Sequence, residues 1–160
     1  MTTSAGELGA LREGLRRLLG THDASAVVHP DLEWRSGWGS LADLGVAALC
    51  AAKTAGGFGA EVGAALVASR ELGAALHASP YAAIVTTAAV LSRCPDPDLV
   101  ALGTQIAAGE HVPVVALLEP GARVGRDGDS VRVDGCARTV LGAGDHDSLL
   151  VVPSAPGPLV

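Results

Sequence analysis

Near residue 111 the repeat of apolar residues changes from every three or four positions to every two. A repeat of 3.6 places a stripe along a helix, and a repeat of two places a face on a strand. The chain therefore divides by composition alone. We expect an α+β fold with an all-α N-terminal helical bundle over residues 1–110. An incomplete antiparallel β-domain, its first strands only, should follow over residues 111–160.

Within the first part, Leu8, Leu11, Leu15, Leu18 and Leu19 mark one face of a helix, with Arg16-Arg17 on its solvated side. His22 to Asp31 reads as a loop. A second helix should run from Ser36 to Leu44 and stop at Gly45, a residue suited to a left-handed cap. The third should bury Val62, Leu66, Leu72 and Leu76, with Ala64, Ala65, Ala68 and Gly73 allowing close approach of a neighbour. Pro80 opens a fourth helix that ends before Pro95. Pro97 lies early in a fifth, from Asp96 to Ala108, closed by Gly109. In the second part, strands are expected at Val112–Leu118, Ser130–Asp134, Arg138–Leu141 and Ser148–Val152, with turns at Asp127-Gly128-Asp129 and Asp134-Gly135. So few short strands need a partner surface or more chain, so exposed sheet edges and association are expected.

Composition narrows the function. The chain is 49% hydrophobic but only 2% aromatic, so its core must be built from Ala, Val and Leu. Glycine contributes 21 of 160 residues, well above the usual ~7%. A net charge of −6, with a single lysine and no basic stripe, disfavours nucleic acid. Cys50, Cys94 and Cys136 are far apart and match no disulfide or zinc pattern. No metal site is expected. The start lacks a leader pattern and no apolar run could cross a bilayer, so no membrane contact and a cytoplasmic location are expected.

The cluster Gly56-Gly57-Phe58-Gly59 follows an apolar run and precedes a helix, as a dinucleotide fingerprint would. Its spacing to Gly63 is one residue too long and no βαβ unit follows, so it reads as a glycine loop between packed helices. Asp145-His146-Asp147 reads as solvated charges in a glycine-rich turn. Glu119 ends an apolar strand before Pro120-Gly121, and a lone carboxylate there is ordinarily solvated.

Taken in order, Leu41-Ala-Asp-Leu-Gly45, Gly56-Gly-Phe-Gly59, Arg70-Glu-Leu-Gly73, Ala108-Gly-Glu110 and Leu118-Glu-Pro-Gly121 resemble the acyl-CoA dehydrogenase family. Val133-Asp-Gly135 and Ser148-Leu-Leu-Val-Val152 resemble the next landmarks of its middle β-domain. The resemblance implies a helical N-terminal domain, a central β-domain and a C-terminal helical domain that binds FAD with them. Such enzymes oxidise acyl thioesters to α,β-enoyl thioesters. A carboxylate removes the acidified α-proton, and a flavin takes the β-hydrogen as hydride, which no side chain can accept.

Under this resemblance Leu118, Glu119, Thr139, Val140 and Leu141 fall at cofactor-binding positions. The family's catalytic base would lie beyond Val160, so no catalytic residue is assigned here and the isolated chain is expected to be inactive. Leu118 replaces a hydroxyl residue, Ala122-Arg-Val-Gly125 replaces Gly-Ser-Asp, and Thr139-Val140-Leu141 replaces Trp-Ile-Thr or Ser. Family members with such losses serve as partner subunits. Two functions therefore stand. One is an acyl-CoA dehydrogenase-like chain that is part of an FAD enzyme, acting on an acyl thioester as a homo- or hetero-oligomer with a related chain. The other is a non-catalytic partner subunit or gene fragment with an interaction role only.

Overall fold

The computed structural model describes residues 4–20, 34–128, 130–141 and 146–152. Among them five α-helices precede five strands. The loop expected at His22 to Asp31 lies outside the described residues.

Helix α1 spans Ala5–Leu19. Its start is fixed by a capping box: the Ser4 hydroxyl accepts the Glu7 N–H, and the Glu7 carboxylate accepts the Ser4 N–H at 2.7 Å. Helix α2 spans Arg35–Asp43. The chain reverses at Gly45 with φ +79°, so the expected cap is a true left-handed residue. The Phe58 ring lies against its Cα, and a side chain at Gly45 would meet that ring. Residues 46–51 are buried turns, and residues 58–60 run back alongside them through backbone bonds such as Ala60 N–H to Leu49 O at 2.8 Å. This is the loop the glycine cluster makes. At Gly57 any Cβ would strike the Ala51 carbonyl.

Helix α3 spans Val62–Ala74, and its buried face differs from the expected one. Val62 and Leu66 are 68% and 63% exposed, and Leu76 beyond its end is exposed as well. The covered residues are Ala64, Ala65, Ala68, Glu71 and Leu72. Small residues let α3 lie close to α1, and the space left admits a carboxylate. Glu71, 5% exposed, accepts Arg16 Nε at 2.8 Å and Nη2 at 3.3 Å, with Arg12 Nε 3.4 Å away. Arg16 is thus an ion-pair partner of the α1–α3 contact, while Arg17 pairs with Glu13 at the surface.

Helix α4 spans Tyr81–Leu91, with Pro80 at its N-cap. Helix α5 spans Pro97–Ala107, capped by the Asp96 carboxylate on the Asp98 and Leu99 N–H groups. Gly109 closes it at φ +77°. The core gathers Leu15, Leu41, Val46, Ile84, Ile106 and Val112 among many alanines. The three cysteines are free thiols. No helix among the described residues is long and apolar enough to cross a membrane.

The strands are β1 Pro113–Leu118, β2 Arg123–Asp127, β3 Ser130–Asp134, β4 Ala137–Leu141 and β5 Ser148–Val152. They form a three-stranded sheet ordered β4-β1-β5 and a separate β2–β3 ribbon. Two features differ from the expectation. β2 was not expected, and β5 runs parallel to β1, so the larger sheet is mixed rather than antiparallel. Helix α4 packs on β1, which joins the sheet to the helical core.

Candidate functional site

The residues placed at cofactor positions come together where β1 ends. β1 and β4 pair antiparallel, with Val115 opposite Leu141, Ala116 opposite Val140 and Leu117 opposite Thr139. The register then slips, so Leu118 faces Ala137 and Arg138 has no partner across the ladder. A residue displaced in this way points its side chain differently from its neighbours. Here Arg138 Nε lies 2.6 Å from Glu119 Oε1.

Backbone bonds fix the corner. The Glu119 N–H donates to Cys136 O at 2.9 Å, and Glu119 O accepts the Ala122 N–H at 3.2 Å across Pro120-Gly121. Gly121 sits at φ +96° and Gly135 at φ +152°. The two turns cross at close range: a Cβ on Gly135 would fall 2.6 Å from the Ala122 Cβ. Glycine after Asp134 is therefore required by the crossing as well as by the turn.

All five positions are adjacent, but they do not form one surface. Alternation along the strands places Thr139 and Leu141 with Leu117 on one face, and Val140 with Ala116 and Leu118 on the other. Leu118 is buried, whereas Thr139, Val140 and Leu141 are exposed. The side chains offer an apolar wall, one hydroxyl and an ion pair. They lack an aromatic plane and the second hydroxyl that would hold a flavin ring from both sides. Thr139 and Leu141 share one face that can line one side of a flavin ring, while Val140 and the buried Leu118 face away from it, so the five do not make a complete flavin site.

A second cluster lies at the opposite end of β1, and sequence reasoning missed it. The Val112 N–H donates to Asp147 Oδ2 at 2.7 Å, and the Asp147 N–H donates back to Val112 O at 2.8 Å. Arg35 Nη2 of α2 is 3.4 Å from the same carboxylate oxygen. The guanidinium also lies over the Trp34 ring, which meets Trp38 edge to face. The Val112 N–H, and then Arg35, hold the Asp147 carboxyl below the usual carboxylate range. Asp147 is thus a clamp on the entry to β1 and β5 while its carboxylate stays exposed to solvent. Asp145 lies outside the described residues. Among the described residues no group of three His, Cys, Asp or Glu side chains could hold a metal ion.

Helices followed by this sheet and ribbon give the fold of one part of an acyl-CoA dehydrogenase. Superposition on a Tcur3481-Tcur3483 steroid ACAD variant gives a TM-score of 0.80 at 24% identity, over 95% of this chain and 46% of that one. The ChsE4-ChsE5 complex from Mycobacterium tuberculosis matches with a TM-score of 0.69 at 25% identity, over 87% and 41%. A putative acyl-CoA dehydrogenase from Mycobacterium smegmatis matches with a TM-score of 0.73 at 20% identity, over 98% and 45%. The chain spans less than half the length of each of these structures. No family model and no curated protein matches the sequence.

Proposed function

We propose that this chain is an acyl-CoA dehydrogenase-like component of an FAD-dependent enzyme that oxidises acyl thioesters to α,β-enoyl thioesters. In this reading residues 1–110 are its helical domain and residues 111–160 the start of its β-domain. It contributes to the flavin site at Leu118, Glu119, Thr139, Val140 and Leu141, of which Thr139 and Leu141 share one face of the sheet. The remaining walls and the α-proton base lie outside residues 1–160, and the enzyme is a homo- or hetero-oligomer with a related chain. The observation that carries the reading is the pairing of β1 with β4, which sets the Glu119 corner beside Thr139–Leu141 in a chain of this fold. Bound FAD would supply the hydride acceptor. The residues of this chain would exclude water through Leu141 and offer the Thr139 hydroxyl, on the same face, as a hydrogen-bond partner.

The reading of a non-catalytic partner subunit is favoured by one observation, the incomplete wall itself. Flavin absorbance near ~450 nm, a property of the cofactor, separates the two. It is measured on the purified chain and on the chain co-purified with a related acyl-CoA dehydrogenase polypeptide. Absorbance that appears only in the co-purified complex, and falls when Thr139 is changed to Val, supports the proposed role. A complex whose flavin content ignores Thr139 and Arg138 substitutions leaves the chain an interaction subunit.

A further inference from the structure

We propose that Arg35 is a positioning residue: together with Trp38 it latches helix α2 to the starts of β1 and β5, and so fixes the angle at which the sheet stands against the helices. The latch is defined by contacts within this chain, whereas its consequence for a bound flavin rests on the function proposed above.

Residues 108–112 join α5 to β1, and Gly109 turns the chain there at φ +77°. A short connection of this kind is where two packed bodies rotate against each other. Helix α4 packs along β1 and holds the sheet on one side. Contact along a single strand opposes separation but leaves the sheet free to rock about that strand. A second attachment, to one side of β1, fixes the angle. Asp147 precedes β5, which lies one strand spacing (~4.8 Å) aside from β1.

Helix α2 supplies this attachment from one stripe. Arg35, Trp38 and Ala42 follow at i, i+3 and i+7, so they share a face. Ala42 lies against Gly109, where any Cβ would strike it. The buried Trp38 donates its Nε1–H to Gly109 O at 3.2 Å. One turn toward the N-terminus, Arg35 Nη2 reaches Asp147 Oδ2 at 3.4 Å, and the same oxygen accepts the Val112 N–H. The Trp34 ring beneath the guanidinium, with Trp38 edge-on to it, limits where Arg35 can point. The helix thus grips the connection at Gly109 and the sheet at Asp147, on either side of the pivot. At the far end of β1 stand Glu119 and, across the ladder, Thr139. A tilt at Val112 displaces that end most.

A partly exposed ion pair adds little to stability, so Arg35 should act on the angle and not on the urea midpoint. Spin labels on the native Cys136, exposed beside β4, and on Leu66→Cys of α3 report that angle, with Cys94 changed to Ser and Cys50 buried. Pulsed electron spin resonance on the full chain should give one narrow distance distribution. Arg35→Gln should broaden it about two-fold, Arg35→Lys should restore it, and Arg17→Gln should leave it unchanged. Trp38→Phe, which keeps a ring but removes the donor, should broaden it as well. In the co-purified complex Arg35→Gln should lower flavin absorbance per chain, and Arg35→Lys should recover it. A broadened distribution with no flavin in any complex upholds the latch and removes the flavin reading. A distribution that is broad in the unaltered chain, or indifferent to Arg35→Gln, overturns the latch. A broadened distribution with full flavin content overturns the positioning role.

Discussion

Val112 and Asp147, 35 positions apart, exchange two hydrogen bonds: a backbone N–H to carboxylate bond of 2.7 Å and a backbone pair of 2.8 Å. Val112 is fully buried in the helical core, so its N–H has no water to turn to. Asp147→Ala should cost about 1–3 kcal/mol, the usual penalty for a buried donor left unsatisfied. Asp147→Asn keeps an acceptor and should cost less. Urea unfolding followed by tryptophan fluorescence checks both, since Trp34 and Trp38 sit beside the Arg35 end of the clamp.

Acid should loosen both clamps. Asp147 is held below the usual carboxylate range by the Val112 N–H and Arg35, and Glu71 by the hydrogen bond from Arg16. A carboxyl whose folded pKa is depressed adds stability above its unfolded pKa, near ~4. That stability is lost as pH falls through the lower, folded value. Midpoints of urea unfolding should therefore be level near neutrality and drop below about pH 4. Asp147→Asn should flatten part of that drop, and a parallel fall in the variant and the unaltered chain would contradict the assignment.

Glu71 joins α1 to α3, and its removal leaves Arg16 without its bidentate partner. Glu71→Ala should lower the urea midpoint more than Arg16→Ala does, because Arg12 still neutralises the carboxylate in the second variant. A double-mutant cycle on Arg16 and Glu71 should return a non-zero coupling, whereas Arg17 and Glu13, an exposed pair, should couple weakly.

Gly45 has a positive φ, and the Phe58 ring occupies the place of a side chain. Gly45→Ala should destabilise by more than about 1 kcal/mol, combining left-handed strain with displacement of the ring. Phe58→Ala in the same background should recover part of the loss, as the ring is half exposed and free to be removed. Thermal melts of the two single variants and the double variant decide this.

At the end of β1 the Glu119–Arg138 pair is short but its cation is exposed. Arg138→Ala should change stability by less than about 1 kcal/mol. In the co-purified complex it should nonetheless alter flavin retention, measured as absorbance per chain.

Much of the helical part was legible because its signals are local. Gly45, Asp96-Pro97 and Gly109 each end or begin a helix through their own backbone geometry. The face of α3 was not legible, because periodicity favours the large residues Val62 and Leu66 while the packing uses alanines. Burial of Glu71 depends on Arg16, 55 positions away. β2, Arg123-Val-Gly-Arg-Asp127, has no apolar alternation, and it forms because β3 pairs with it. At the candidate site the resemblance named residues on two strands, β1 and β4, that pair in the fold. Their division between two faces, and the meeting of Arg138 with Glu119, depend on pairing and a register slip that no short string encodes. The role of Asp147 was missed for the same reason.

The parallel pairing of β1 with β5 also dictates an order of events. Every residue of the β2–β3 ribbon and of β4 must emerge before β5 exists, and the loop so closed costs chain entropy before any contact repays it. A chain leaving the ribosome therefore carries β1 with its β5 flank bare throughout synthesis of the intervening strands. The segment that seals the hydrophobic seam is made after every strand it encloses.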